Sequence, residues 1–82
     1  MMMITLYVIK SEVNAELYVG ITKQLSIRLK EHANGKNRYT KGLRPWILVH
    51  TEEFDSYATA RIQEKYYKSG SGKEELKMKL AL

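Results

Sequence analysis

The sequence predicts an α+β domain whose elements run strand, strand, helix, strand, helix, helix. Three features carry this expectation. Residues 4–10 (ITLYVIK), 16–22 (ELYVGIT) and 46–54 (WILVHTEEF) are rich in β-branched and aromatic side chains. The apolar period changes from two to four residues at about Gln24. The polar SEVN segment between the first two strands is short enough to join them as a hairpin.

Each element follows from its own pattern. Residues 4–10 are apolar on both alternating sets, which predicts a strand covered on both faces. In the second strand Leu17, Val19 and Ile21 share one face, and Tyr18, Gly20 and Thr22 the other. With SEVN as a four-residue turn flanked by Lys10 and Ala15, antiparallel pairing sets Tyr7 opposite Tyr18. Leu25, Leu29 and Ala33 then recur every fourth residue as the buried stripe of a helix that Gly35 ends. KNRYTKGLR reads as a loop, and Pro45 delays the third strand, expected to be buried on both faces from Trp46 to Val49. Asp55 or Ser56 can cap a helix over residues 56–69. Gly70 would end it, and Ser71 with Glu74 has capping-box spacing for a short last helix carrying Leu76 and Leu80. The glycines and lysine of KSGSGKEEL do not make a phosphate loop, because they follow a helix and lack the required spacing.

Composition narrows the classes of function. The 82 residues suffice for one modest core, so residues 1–82 are expected to form a single domain. A chain that is 44% hydrophobic and 28% charged is ordinary for a globular protein. No apolar run approaches the roughly 18 residues of a membrane span, and MMMITLYVI lacks a basic segment and a small-residue cleavage site. The expected location is cytoplasmic, with no membrane partner. Without cysteine there are no disulfides and no thiolate ligands, so any metal must sit on oxygen or imidazole.

Net charge is +5 and concentrated. Lys23, Arg28, Lys30, Lys36, Arg38, Lys41 and Arg44 face a single nearby acid, Glu31. Such a run is either a solvated face or a surface that contacts phosphates, and charge alone does not choose. Arg28 and His32 lie one turn apart, on one edge of the first helix beside its apolar stripe. Arg28 could equally pair with Glu31 or Glu64, and His32 could sit at the helix rim. Glu64 shares a helix face with Ala60, whose small side chain lets that turn approach the sheet. It could also simply pair with Arg61 or Lys68. Tyr7 and Tyr18 could be a packing pair.

Taken in order, these residues resemble a known family. Thr5-Leu6-Tyr7, Tyr18-Val19-Gly20, the helical Arg28 and His32, RPW before the third strand, and the Ser56, Ala60, Glu64, Lys65 series resemble the small stand-alone members of the GIY-YIG nuclease superfamily over nearly the whole chain. Ile21 stands where some members carry lysine, and no asparagine follows Asn37. The resemblance implies a three-stranded antiparallel sheet flanked by helices, and metal-dependent endonuclease cleavage of DNA. It implies Tyr7 as a base or water-positioning group, Tyr18 as its hydroxyl partner, Arg28 as phosphate clamp, His32 as an aid to the tyrosines, and Glu64 as ligand of Mg²⁺ or Mn²⁺. Gly20 would have a structural role, keeping the second strand open to close approach. Lys23, Lys36, Arg38, Lys41 and Arg44 are the expected nucleic-acid contacts, with specificity either low, set by DNA structure or supplied by a protein partner. The competing expectation is a non-catalytic nucleic-acid-binding module on the same fold.

Overall fold

The segment that is apolar on both alternating sets takes the centre of the sheet. In the computed structural model, which describes residues 3–81, β1 (Ile4–Ser11) lies between β2 (Leu17–Thr22) and β3 (Trp46–Phe54), antiparallel to both. Leu6 and Val8 are buried on one face, Tyr7 and Ile9 on the other, as a doubly covered strand requires. Helices α1 (Leu25–Ala33) and α2 (Arg38–Lys41) lie on the Tyr7 side, while α3 (Tyr57–Lys68) and α4 (Gly70–Lys79) cover the Leu6 side. The expected architecture is present, with α2 as an added single turn. Leu6, Val8, Leu17, Val19, Tyr67 and Leu76 form the core, with Ile21, Val49, Phe54 and Leu80 packed around it.

The hairpin register differs from the expected one. Ser11 N–H donates to the Glu16 carbonyl (2.8 Å), and the Ser11 carbonyl accepts from Ala15 N–H (2.9 Å), with Ala15 at a φ of 64°. The turn therefore spans Glu12 to Ala15. Ser11 belongs to the strand because its own hydroxyl donates to the Leu43 carbonyl (2.6 Å) and accepts from Val13 N–H (3.1 Å). As a result Tyr7 faces Gly20, and Tyr18 faces Ile9. The displacement keeps side-chain parity, so both tyrosines remain on one face.

Three further departures have local causes. Asn37 Oδ1 accepts from the Tyr39 and Thr40 amides (2.9 and 3.1 Å), winding part of the expected loop into α2. Trp46 to Val49, on the edge strand β3, are not buried on both faces: Ile47 and Leu48 are 45% and 42% exposed. Val49 is the extra residue of a bulge, since His50 faces Val8 and Leu48 faces Ile9. Ser56 caps α3 as expected, but Ser69, not Ser71, caps α4 by accepting from Gly72 N–H (3.2 Å), and Gly70 begins α4 instead of ending α3. Gly72 sets that crossing, since a Cβ there would overlap the Tyr66 carbonyl.

A polar network fastens the last helices to β3. Glu52 accepts hydrogen bonds from the buried Tyr67 hydroxyl and from His50 (2.7 Å), and Lys79 donates to the Tyr67 oxygen (3.1 Å). Burial alone would raise the Glu52 carboxyl, but these hydrogen bonds and the Lys79 charge outweigh it and hold the group below the ordinary carboxylate value. A depressed folded-state pKa means that the unfolded chain takes up the proton first as pH falls. The stabilisation is therefore full above the unfolded carboxylate pKa and is lost through the folded one. Glu52→Gln is expected to cost about 1–3 kcal/mol at pH 7 and to flatten the acid limb of urea-unfolding midpoints measured against pH.

Candidate active site

Helix α1 buries a polar residue in place of its apolar stripe. His32 is 1% exposed and is the buried residue of α1, whereas Leu25 and Leu29 are half-buried and Ala33 is exposed. The helix takes this orientation because the imidazole finds a partner for each nitrogen. Nε2 lies 2.8 Å from the Tyr7 hydroxyl, and Nδ1 lies 2.8 Å from Thr40 Oγ1. Thr40 is itself fully buried, and its hydroxyl donates to the Asn37 carbonyl (3.5 Å), so its oxygen is left to accept. This assigns the proton of His32 to Nδ1 and leaves Nε2 to accept from Tyr7.

Arg28 reaches the same tyrosine from one turn earlier. Its Nε donates to the Tyr7 oxygen (3.4 Å), and Nη1 pairs with Glu31 (3.0 Å). Burial pushes the Tyr7 phenol up more than the Arg28 hydrogen bond pulls it down, with the charges of Tyr18 and Glu64 adding to the rise. Burial and the neighbouring Arg28 push the His32 imidazole down. At neutral pH the pair is therefore a neutral phenol against a neutral imidazole. Tyr18 packs beside them, its ring 5.1 Å from His32 and 6.4 Å from Tyr7 between centroids.

Gly20 makes this arrangement possible. The Tyr7 ring lies across it, so that a Cβ at Gly20 would overlap the Tyr7 hydroxyl and sit 2.6 Å from Cζ. Glu64 comes from α3, one turn after the fully buried Ala60, with its side chain only 13% exposed. Lys68 (3.0 Å) and Arg61 (4.0 Å) pair with it, and Lys68 Nζ lies 5.6 Å from the centre of the Tyr18 ring. Among the described residues no group of three or more histidine, aspartate or glutamate side chains could hold a metal. Glu64 offers a single carboxylate, which suits a hard, largely hydrated cation completed by substrate oxygens.

The basic run divides by role. Arg28, Lys36 and Arg38 line an open groove of about 520 Å³ with Glu31, Asn37 and Tyr39. Lys41 lines a separate depression beside Arg44 and Trp46. Arg44 donates to the carbonyls of Lys41 (2.9 Å) and Ala33 (3.4 Å), tying the loop to the end of α1. Lys23 lies 5.4 Å from the centre of the Tyr57 ring. Thr40 and Tyr39 escaped the sequence reading. Their one signal was Asn37, whose cap places both on a helical turn.

Two tyrosines on one face of adjacent antiparallel strands, set against an arginine and a histidine of one helix, define a GIY-YIG type of domain. Comparison with known proteins agrees: the family model of the GIY-YIG catalytic domain matches residues 3–79. A UPF0213 protein of Staphylococcus haemolyticus is 38% identical over 73 residues, covering 88% of each chain. One from Syntrophus aciditrophicus is 41% identical over 64 residues, covering 76% of this chain and 74% of the relative. The solution NMR structure of a UPF0213 protein from Bacillus halodurans matches with a TM-score of 0.57 at 35% identity, over 92% of this chain and 82% of that one. The chain belongs to the GIY-YIG family. The domain is thus of a nuclease type, which implies a nucleic-acid substrate, and among the described residues no helix is long and apolar enough to cross a membrane.

Two substitutions test the packing of the site. Gly20→Ala is expected to lower stability by about 1–3 kcal/mol in urea titrations, because Tyr7 must leave its position. Thr40→Val should cost about 1–3 kcal/mol through the unpaired imidazole nitrogen, whereas Thr40→Ser keeps the oxygen and most of the stability.

Proposed function

We propose that the protein is a metal-dependent endonuclease that hydrolyses DNA phosphodiester bonds, in repair, recombination or mobile-element processing. The observation that supports this best is the double engagement of the Tyr7 hydroxyl, by His32 Nε2 at 2.8 Å and Arg28 Nε at 3.4 Å, beside a cationic groove. A surface that only binds polyanions needs the cations, whereas a phenol held between a guanidinium and an imidazole is also placed to exchange a proton.

In the proposed reaction Arg28 holds the non-bridging oxygens of the scissile phosphate, and Lys36 and Arg38 hold its neighbours. Tyr7 is fully buried beneath Arg28, so in this reaction the guanidinium turns toward the phosphate and uncovers the Tyr7 oxygen. That oxygen then accepts a hydrogen bond from the attacking water and fixes it in line with the leaving oxygen. As the water oxygen bonds to phosphorus and the P–O bond to the leaving group breaks, the water proton passes to Tyr7, and the leaving oxygen keeps the bonding pair and takes a proton from solvent. The phenol proton passes to His32 Nε2, which Thr40 keeps free to receive it. The Tyr18 hydroxyl flanks Tyr7 on the same face. Glu64 would hold Mg²⁺ or Mn²⁺ through its carboxylate, and the bound ion would supply positive charge to the phosphoryl and leaving oxygens. The ion pair of Glu64 with Lys68 favours the alternative of a non-catalytic binding module, because it already occupies the carboxylate. Target choice comes from DNA structure or from a protein partner.

Linear, nicked and branched DNA incubated with Mg²⁺ or Mn²⁺ separates the two readings. Arg28→Ala and Glu64→Ala should each lower the cleavage rate by about 10²- to 10³-fold, and equal rates in all three proteins would sink the catalytic reading. His32 must be neutral to receive a proton, and its imidazole is held below the ordinary histidine value. The rate is therefore expected to fall on acidification only below the usual histidine range.

A further inference from the structure

We propose that Tyr39 is a stacking platform for an unpaired nucleobase, so that the substrate is a single-stranded or strand-displaced DNA segment running past the Tyr7 site. This rests on the nuclease reading and names its substrate class. Tyr39 is 63% exposed, in a protein that buries Tyr7 and Tyr67 completely. Its exposure is not looseness. The Asn37 side chain accepts from the Tyr39 and Thr40 amides, Thr40 is hydrogen-bonded to His32, and the Trp46 indole donates to the Thr40 carbonyl (2.8 Å). The backbone that carries Tyr39 is thereby held by its own cap, by His32 through Thr40 and by the start of β3.

The ring itself is backed by other rings. Tyr39 rests on Tyr18 at 5.6 Å between centroids with a 39° tilt, and Tyr18 is in turn backed by His32 at 5.1 Å and Trp46 at 6.4 Å. One flank of Tyr39 is supported and the rest of the ring meets solvent. Cations lie to either side: Arg28, Lys36 and Arg38 line the groove on one side, and Lys68 and Lys73 line a second groove of about 410 Å³ on the other. Asn37 and Tyr39 belong to both grooves, so Tyr39 stands on the ridge between two phosphate-attracting channels. A fixed aromatic face between two basic channels suits a polynucleotide that lays one base on the ring and a phosphate in each channel. Bases inside a duplex have both π-faces covered by their neighbours. Only a single strand, a flap or a gap presents a free face at this point.

The test is binding in EDTA at one fixed salt concentration, followed by fluorescence anisotropy of a labelled oligothymidylate of about twelve nucleotides and of its duplex with oligodeoxyadenylate. The wild-type protein is expected to prefer the single strand. Tyr39→Ala should lose about tenfold or more in single-strand affinity with duplex affinity nearly unchanged, while Tyr39→Phe keeps the preference. Consecutive abasic positions in the oligonucleotide should reproduce the loss in the wild-type protein. Equal weakening of both ligands by Tyr39→Ala, or a wild-type preference for duplex, would overturn the proposal. Because no turnover is involved, single-strand selectivity in a protein that cleaves nothing would support the platform and refute the nuclease, whereas duplex-preferring cleavage indifferent to Tyr39 would refute the platform alone.

Discussion

A buried imidazole must be paired on both nitrogens or destabilise the fold, and the site of this protein is organised around that requirement at His32. Tyr7 of β1 meets one nitrogen and Thr40 of α2 meets the other. Since His32 itself belongs to α1, two hydrogen bonds join three elements, one of them 25 residues away in the chain. The Trp46 indole, donating to the Thr40 carbonyl, adds the start of β3 to the same assembly. None of these elements can shift without leaving a buried polar atom unpaired, and such an atom costs more than the net worth of the bond it lost. Among the described residues every buried side-chain nitrogen and oxygen has a partner.

Space at Gly20 is the second condition. A tyrosine on the central strand can reach the helix only if its ring crosses the neighbouring strand, and the residue facing Tyr7 on β2 has no side chain to obstruct it. The register that brings Gly20 opposite Tyr7 is set at the turn, where Ser11 is tied to the Leu43 carbonyl. A hydrogen bond to a loop 32 residues away thus decides which residue lies under the phenol. The sheet and the site have a common determinant.

Much of the fold was legible because it depends on local pattern. The double-sided apolar run of β1, the change of period before α1 and the Ser56 cap of α3 each report a short-range preference, and each element formed where that preference lay. The buried side of α1 was not legible. Leu25, Leu29 and Ala33 form the better apolar stripe, but paired hydrogen bonds on His32 outweighed it, and those partners lie 25 residues before and 8 residues after. Helix α2 is four residues long, too short for any period, with the Asn37 cap as its one local sign. Spacing placed Arg28 and His32 on one helical edge, yet it could not find Thr40 or Tyr39, which join the cluster through that cap and through tertiary bonds. Composition likewise grouped Lys23 and Arg44 with the groove cations. In the folded chain one lies over Tyr57 and the other bonds main-chain carbonyls.

Protonation in the site follows the same separation of buried from exposed. Burial raises the Tyr7 phenol and lowers the His32 imidazole, so both deeply placed groups rest in their neutral forms and no net charge is carried into the core. The charged groups stand at the rim: Arg28 paired with Glu31, Glu64 paired with Lys68. The Arg28–Glu31 pair is the partly exposed layer of this network, above the hydrogen bonds that bury Tyr7 and His32. Arg28 is the link between the two layers, because its Nη1 faces the groove side ion pair while its Nε touches the Tyr7 oxygen. A guanidinium drawn away from Glu31 toward a phosphate would also change its hold on Tyr7. Any change in the Arg28–Glu31 pair thereby reaches the Tyr7 phenol through one side chain.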